Sequence, residues 1–204
     1  ENYEMHEYTK KYINDVLFEN LENITITSSP KWTSEFLDWR NEEYDKQKRK
    51  MQVEKHGFEV LQGNENFEGE LLGGCFDVFP MFFGTEIWPT KDEWKNKILF
   101  LETSEDEMPP EYIKYYLRNL VAEGIINEIN GIIIGKPKNE KYYEEYKDVY
   151  KNVIGNEAGR SELPILYNVN FGHTAPMCIL PIGQKVKVDL KKKEIVFVRK
   201  PMSE

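Results

Sequence analysis

The stretch Lys97-Ile98-Leu99-Phe100-Leu101-Glu102 decides the fold. Four consecutive apolar residues between two charged ones are typical of a strand that is buried on both faces, as in parallel sheets. Similar stretches recur at residues 131–135 (Gly-Ile-Ile-Ile-Gly) and 164–169 (Pro-Ile-Leu-Tyr-Asn-Val). These three stretches predict three buried strands of one sheet.

Helical patterns separate these strands. Pro109-Pro110 precedes a segment whose apolar residues recur every three or four positions, and Gly124 is placed to end that helix. A second helix is predicted over residues 140–154. The alternation of strand and helix predicts parallel strands joined by crossovers. The apolar face of the first helix comprises Tyr112, Ile113, Tyr116, Leu117, Leu120 and Val121.

The flanking segments predict further strands and a mixed sheet. We expect strands at residues 23–27, 58–61 and 70–72, with a turn at residues 62–64, and two or three antiparallel strands within residues 177–198. Residues 7–22 have helical spacing. The strongly charged residues 31–56, with Trp32, Phe36 and Trp39 at helical spacing, predict a partly helical excursion. Together these elements indicate one α/β domain over residues 1–204, with a mixed sheet and flanking helices.

The composition excludes several classes of partner. The formal net charge of -9 disfavours nucleic acid, because an acidic chain repels phosphate backbones. No apolar run reaches the ~20 residues of a membrane helix, so we expect no membrane association. With only two cysteines among 204 residues, a disulfide framework is not expected and a cytoplasmic location is favoured.

Two residues are candidates for acid–base chemistry. Glu102 ends a buried strand, and sites of α/β folds gather at the carboxyl ends of strands, although a solvated loop carboxylate is the alternative. His173 lies in a glycine-tight loop after another strand and is a candidate general base; its alternative is a histidine bonded to backbone groups. No spacing typical of a metal or phosphate site occurs, so no metal or cofactor is expected.

A nucleophile is harder to find. Ser161 follows a predicted helix and precedes a strand, which is the reverse of the strand–turn–helix order of a nucleophile elbow. Cys75 and Cys178 lie in apolar runs, where thiols stay protonated. Ser104 is more typical of a residue that caps the following turn. We therefore expect no catalytic nucleophile in this chain.

An aromatic loop is the remaining candidate binding feature. Residues 82–89 read Phe-Phe-Gly-Thr-Glu-Ile-Trp-Pro. The pair Gly73-Gly74 precedes an apolar segment that ends at Gly84. This segment predicts a short buried helix or turn. An exposed Trp88 can stack on a flat ligand, whereas an indole folded back over the core has no such role.

Three ordered segments resemble one known family. They are residues 73–89, with the Gly-Gly pair, Gly-Thr and Trp-Pro; residues 98–105 (Ile-Leu-Phe-Leu-Glu-Thr-Ser-Glu); and residues 168–183, with Asn-Val-Asn-Phe-Gly-His-Thr and Leu-Pro-Ile-Gly. Their order and spacing resemble the C-terminal domain of the LD-carboxypeptidase family of serine peptidases. The long insertion around Trp32 to Lys50 and the Leu-Glu-Thr-Ser-Glu run look like the microcin C immunity branch.

The resemblance implies a swivelling β/β/α-type C-terminal domain that works with a flavodoxin-like N-terminal domain. That absent domain carries the family's catalytic serine. Glu102 would then be the acid of a Ser-Glu-His triad and His173 its base, with Glu105 as a rival for the acid. Trp88, Phe83 and Glu105 would contact substrate. Family members commonly have Asn where this chain has Cys75, which leaves open the ligand contact made there.

The implied function is hydrolysis of the amide of a microcin C-type aminoacyl-nucleotide, with this chain inactive alone. Cleavage of a murein tetrapeptide in cell-wall recycling is the alternative within the family. A non-catalytic module that binds an acidic or nucleotide-like ligand is a second alternative, and a dimerisation module with its interface around Tyr112, Tyr116 and Asn119 is a third. The expected partners are the chain's own N-terminal domain, a small peptide or aminoacyl-nucleotide, and a second copy in a homodimer.

Overall fold

The fold is built around one mixed sheet. A computed structural model describes residues 5–38, 40–44 and 46–201. Within this part, eight strands form a sheet in the order β1-β10-β9-β5-β6-β7-β8-β4, and β2 pairs with β3 in a small separate sheet. The strands are β1 (Thr25–Ile26), β2 (Lys31–Trp32), β3 (Gln52–Val53), β4 (Glu59–Gln62), β5 (Phe67–Cys75), β6 (Lys97–Glu102), β7 (Gly131–Gly135), β8 (Ile165–Val169), β9 (Lys185–Asp189) and β10 (Glu194–Phe197).

The helices are short and lie on both sides of the sheet. Two of the α-helices continue into wider π-helical turns, at Asn14–Phe18 and at Lys151–Glu157. Single 3₁₀ turns occur at Glu42–Tyr44, Phe76–Met81, Lys91–Trp94 and Lys138–Glu140. The α-helices are α1 (Glu7–Ile13), α2 (Pro110–Ala122), α3 (Ile125–Glu128) and α4 (Tyr143–Tyr150).

The four central strands are parallel; the buried apolar runs predicted three of them, β6, β7 and β8, and β5 is the fourth. β5, β6, β7 and β8 pair in parallel, so all four end at the same edge of the sheet. Antiparallel strands complete both sides, because β9 pairs with β5 and β4 pairs with β8. The predicted α/β class with a mixed sheet and flanking helices is confirmed.

Strand β6 shows why its sequence is apolar throughout. Leu99 and Leu101 pack into a core with α2, α3 and α4, while Ile98 and Phe100 point to a second core that includes α1. All four side chains are buried. Each such side chain contributes roughly 1.5–3 kcal/mol through burial, and neither face of the strand can accept a polar residue without a partner.

Helix α2 ends as predicted but buries a narrower face. Gly124 adopts the left-handed conformation, with φ +79°, which glycine takes without steric penalty because it has no Cβ. Ile113, Leu117 and Leu120 are buried, whereas Tyr112 is half exposed.

One local prediction was wrong. Residues 31–56, which we call the insert, were expected to be partly helical around Trp32, Phe36 and Trp39. Instead β2 and β3 pair antiparallel at its base, and the one helical turn in its described part is the 3₁₀ turn Glu42–Tyr44. Trp39 lies outside the described residues. Trp32 is extended because its ring packs on a buried lysine, a tertiary contact that overrides its spacing.

The strands predicted on either side of residues 62–64 are present as β4 and β5, and Gly63 between them has φ +74°. β4 pairs with β8 and β5 pairs with β6 and β9. Among the helices in the described part of the chain, none is long and apolar enough to cross a membrane.

Candidate active site

Glu102 is the last residue of β6 and lies at the carboxyl edge of the sheet. Its neighbour across the ladder is Cys75, the last residue of β5. Two glycines make room for its side chain: a Cβ at Gly135 would lie 3.0 Å from Glu102 Cβ, and one at Gly172 would lie 2.6 Å from Glu102 Oε2. Gly172 also has φ +94°, so glycine is required there on both counts.

His173 follows directly and pairs with two carboxylates. Its Nδ1 lies 2.7 Å from Glu102 Oε2, and its Nε2 lies 3.0 Å from Glu105 Oε2. The side chain of Glu102 is 11% exposed and that of Glu105 is 58% exposed. Glu102 and Glu105, the two candidate acids, therefore contact opposite nitrogens of the His173 imidazole. Glu102, the more buried of the two, contacts Nδ1.

The pKa values of the Glu102 and Glu105 carboxyl groups are shifted in opposite directions. Burial raises the pKa of Glu102, while the hydrogen bond from His173 works in the other direction. The pKa of Glu105 is lowered, first by its own backbone N–H and then by the nearby imidazole. A buried carboxylate beside an imidazole can fix the ring's tautomer and stabilise the imidazolium.

A cleft of about 410 Å³ opens beside His173. The insert supplies one wall, with residues 33–36 and Arg49, and the other wall carries Glu105, Lys138 and His173. Phe36 is 70% exposed. Sequence reasoning missed this role of the insert, because nothing in its charge pattern showed which side of the sheet it would reach.

Backbone pairing joins the insert to the histidine loop. Thr33 N donates to Ala175 O at 2.7 Å, and Ala175 N donates to Thr33 O at 2.9 Å. The hydroxyls of Ser34 and Thr174 lie 3.4 Å apart. Thr33 and Thr174 are both buried. The wall of the cleft and the loop that carries His173 are thus fixed to each other.

Lys136 is a second polar centre that sequence reasoning missed. It follows β7 directly, and its side chain has no exposed surface. Its Nζ lies 3.0 Å from Glu54 Oε2, 2.7 Å from Glu140 Oε1 and 3.1 Å from Asn168 Oδ1. A charged residue immediately after a wholly apolar strand is the sequence signal that could have found it.

The aromatic loop lies elsewhere. Trp88 Nε1 donates to Glu123 Oε2 at 2.7 Å, just past the end of α2. Its ring packs on Phe79, Phe83 and Trp94. Neither Trp88 nor Phe83 lines the cleft beside His173.

The remaining candidates have local structural explanations. Burial raises the pKa of Cys178 to about 12, and burial with the Glu102 charge raises that of Cys75 to about 12. Ser104 Oγ accepts the backbone N–H of Asp106 at 3.2 Å, as a turn cap does. Ser161 lies in a turn between a helix and β8, which confirms the order that excludes an elbow. Among the described residues, no group of three or more His, Cys, Asp or Glu could hold a metal ion.

An α/β sheet that presents a carboxylate–imidazole pair at its carboxyl edge is the kind of arrangement that hydrolytic enzymes use. A family model described as the LD-carboxypeptidase C-terminal domain matches residues 68–188. The chain therefore belongs to the LD-carboxypeptidase family, as its ordered motifs predicted.

Three similar proteins can be compared with this chain. The microcin C7 self-immunity protein MccF of Escherichia coli is 25% identical over 186 residues, which are 88% of this chain and 49% of that protein. The structure of an MccF-like protein from Streptococcus pneumoniae in complex with AMP has a TM-score of 0.85 and 31% identity, over 96% of this chain and 59% of that one. MccF in complex with glutamyl sulfamoyl guanosine has a TM-score of 0.74 and 23% identity, over 95% and 55%. The chain spans about half the length of the curated relatives it matches.

Proposed function

We propose that this chain is the acid–base half of a serine-type amide hydrolase that cleaves aminoacyl-nucleotides. The observation that carries the proposal is the pair formed by Glu102 and His173, with 2.7 Å between Oε2 and Nδ1. The nucleophile would come from an N-terminal domain outside this sequence. Because neither cysteine nor Ser104 nor Ser161 is placed or activated for attack, a split triad fits the chain better than a complete one.

The proposed proton transfers follow from the geometry. Glu102 accepts the Nδ1–H of His173, which leaves Nε2 to act as the base once the attacking hydroxyl displaces Glu105, whose Oε2 lies 3.0 Å from Nε2 in this structure. Nε2 takes the proton of the attacking hydroxyl as the new C–O bond forms, and returns it to the leaving nitrogen as the amide bond breaks. A water molecule then repeats the sequence on the acyl-enzyme, which releases the acid and restores the hydroxyl.

The cleft supports the choice of substrate. Phe36 offers an exposed ring on the wall facing His173, and a flat base can stack on it. Arg49 and Lys138 line the same cleft together with Glu35 and Glu105, and the two cations are the groups that would pair with a phosphate or sulfamate. The relatives solved with AMP and with glutamyl sulfamoyl guanosine bind ligands of this kind. We therefore assign the base to Phe36, because Phe36 lines the cleft beside His173 and neither Trp88 nor Phe83 does.

The test mixes this chain with an excess of its N-terminal domain and offers two substrates. Glutamyl sulfamoyl guanosine and a murein tetrapeptide ending in D-alanine are compared by chromatography of the products. Release of glutamate from the first, with little cleavage of the second, is the expected result. Cleavage of the tetrapeptide alone would move the chain to cell-wall recycling, and no cleavage of either would refute the hydrolase.

A titration with AMP separates catalysis from simple binding. Half of a split site should bind AMP weakly when the chain is alone and more tightly once the N-terminal domain is added. Tight binding by the chain alone, unchanged in His173→Ala, would favour a non-catalytic binding module instead.

A further inference from the structure

Lys136 joins residues that come from two separate parts of the chain. Trp32 and Glu54 belong to the insert, at its two ends beside β2 and β3. Asn168 belongs to β8, and Glu140 lies in the 3₁₀ turn after β7. Nζ lies 4.4 Å from the centre of the Trp32 ring and within 3.1 Å of an oxygen of each of the other three residues.

These contacts use the full bonding capacity of the ammonium group. A lysine has three N–H donors, and the three oxygens provide one acceptor for each. The face of Trp32 adds a cation–π contact, which is strongest where water is excluded. The geometry leaves Lys136 one position, between the insert and the sheet.

The carboxylate of Glu54 is held in its ionised form. Burial alone raises its pKa, but the backbone N–H of His56, the charge of Lys136 and further hydrogen bonds outweigh burial and lower it. Glu54 Oε1 accepts the backbone N–H groups of His56 and Gly57 at 2.8 and 3.1 Å. The end of the insert is thereby fixed on Lys136.

A buried ion pair is weak evidence for stability, because desolvation offsets much of the attraction. Here the ion pair between Lys136 and Glu54 fixes the position of the insert. Trp32 is followed directly by Thr33, which pairs with Ala175 beside the histidine loop. Any shift of Trp32 on Lys136 is therefore passed to the wall that faces His173.

We propose that Lys136 is the positioning residue of the cleft, which holds the insert so that residues 33–36 and Arg49 lie opposite His173. Its effect on catalysis rests on the proposed function. Its effect on the position of the insert does not, and the two are measured separately.

Two matched variants test the positional role. Glu54→Gln and Glu140→Gln each remove one carboxylate from Lys136, but only Glu54 belongs to the insert. The insert carries trypsin sites at Lys46, Lys48, Arg49 and Lys50. We expect Glu54→Gln to raise the cleavage rate at these sites about tenfold, and Glu140→Gln to change it less than about twofold. Equal rates in both variants, or no change in either, would overturn the proposal.

Kinetics of the full-length protein provide the second readout. Glu54→Gln should raise KM about tenfold with kcat within about threefold, because the cleft wall binds substrate and the acid–base pair is untouched. Glu140→Gln should leave both constants near wild type. A fall in kcat alone would contradict a positioning role. If the wild-type protein hydrolyses nothing, the proposed function fails, while the trypsin rates still decide the role of Lys136.

Discussion

Two ionic clusters stand one strand apart at the carboxyl edge of the sheet, and they share a pattern. After β6, His173 lies between Glu102 and Glu105; after β7, Lys136 lies between two carboxylates of its own. His173 is 39% exposed and borders a cleft, whereas Lys136 has no exposed side-chain surface. The first cluster is open to a ligand in the cleft, whereas the side chain of Lys136 in the second is closed to one.

The largest effect is expected in the exposed cluster. Glu102→Gln should lower kcat roughly 10³- to 10⁴-fold, because the amide cannot stabilise an imidazolium. Its thermal midpoint should be unchanged or slightly higher, since burial raises the pKa of Glu102 and its charge does not favour the fold. The measurement is hydrolysis by the full-length protein. Glu105→Gln is the matched control, expected within about threefold of wild type because Glu105 is exposed.

In the buried cluster a substitution should affect stability more than catalysis. Lys136→Met leaves two carboxylates without their cation and should cost about 3–5 kcal/mol of unfolding free energy. Urea denaturation followed by tryptophan fluorescence measures this. A loss under about 1 kcal/mol would mean that the cluster relaxes freely, and the contrast between the two clusters would collapse.

The glycine beneath His173 gives an intermediate effect. Gly172→Ala places a Cβ 2.6 Å from Glu102 Oε2 at φ +94°, and should cost about 1–3 kcal/mol. Gly159→Ala is the control, since Gly159 has φ +67° but no atom within 4 Å of the added Cβ. Hydrolysis should fall at least about tenfold more in the first variant than in the second, because only the first displaces the acid. Equal losses would show that backbone strain alone matters at Gly172.

The smallest effect concerns pH. The pKa of Glu54 is lowered from its ordinary value of 4.5, so its contribution to stability is present above pH 4.5 and is lost as pH falls through the folded-state pKa. The stability difference between wild type and Glu54→Gln should be larger at pH 7 than at pH 3. Urea titrations at both pH values measure it. A constant difference would mean that Glu54 acts through packing rather than through charge.

The parallel core and the acid–base pair could be predicted because their signals are local. β6, β7 and β8 are apolar runs that end in polar residues, and Glu102 stands at such an end. His173 was marked by the glycine before it, and the structure shows what that glycine does: it leaves space for a carboxylate. In each case the residue and the reason for it are close in sequence or in the same ladder.

The insert could not be predicted in the same way. Its charged sequence resembles a solvated surface, and its structure depends on Trp32 packing against Lys136, a residue more than a hundred positions away. The pairing of Thr33 with Ala175 is equally distant in sequence. The sequence alone left open whether Trp88 stacks on a ligand or packs on the core. Its position depends on a remote residue, Glu123, which accepts its indole N–H.

The bridge between Thr33 and Ala175 has a consequence for protein engineering. It is an isolated rung rather than part of a longer ladder. The insert also contacts the body through Ser34, whose Oγ accepts the N–H of Asn139 at 2.9 Å, and through Arg49, whose Nη2 lies 2.8 Å from His6 Nε2. The stretch between β2 and β3 can be exchanged as a cassette, provided that both strands, the threonine rung, Ser34, Arg49 and Glu54 are retained. Libraries built on that cassette would vary the lining of the cleft, Phe36 included, without altering Glu102 or His173.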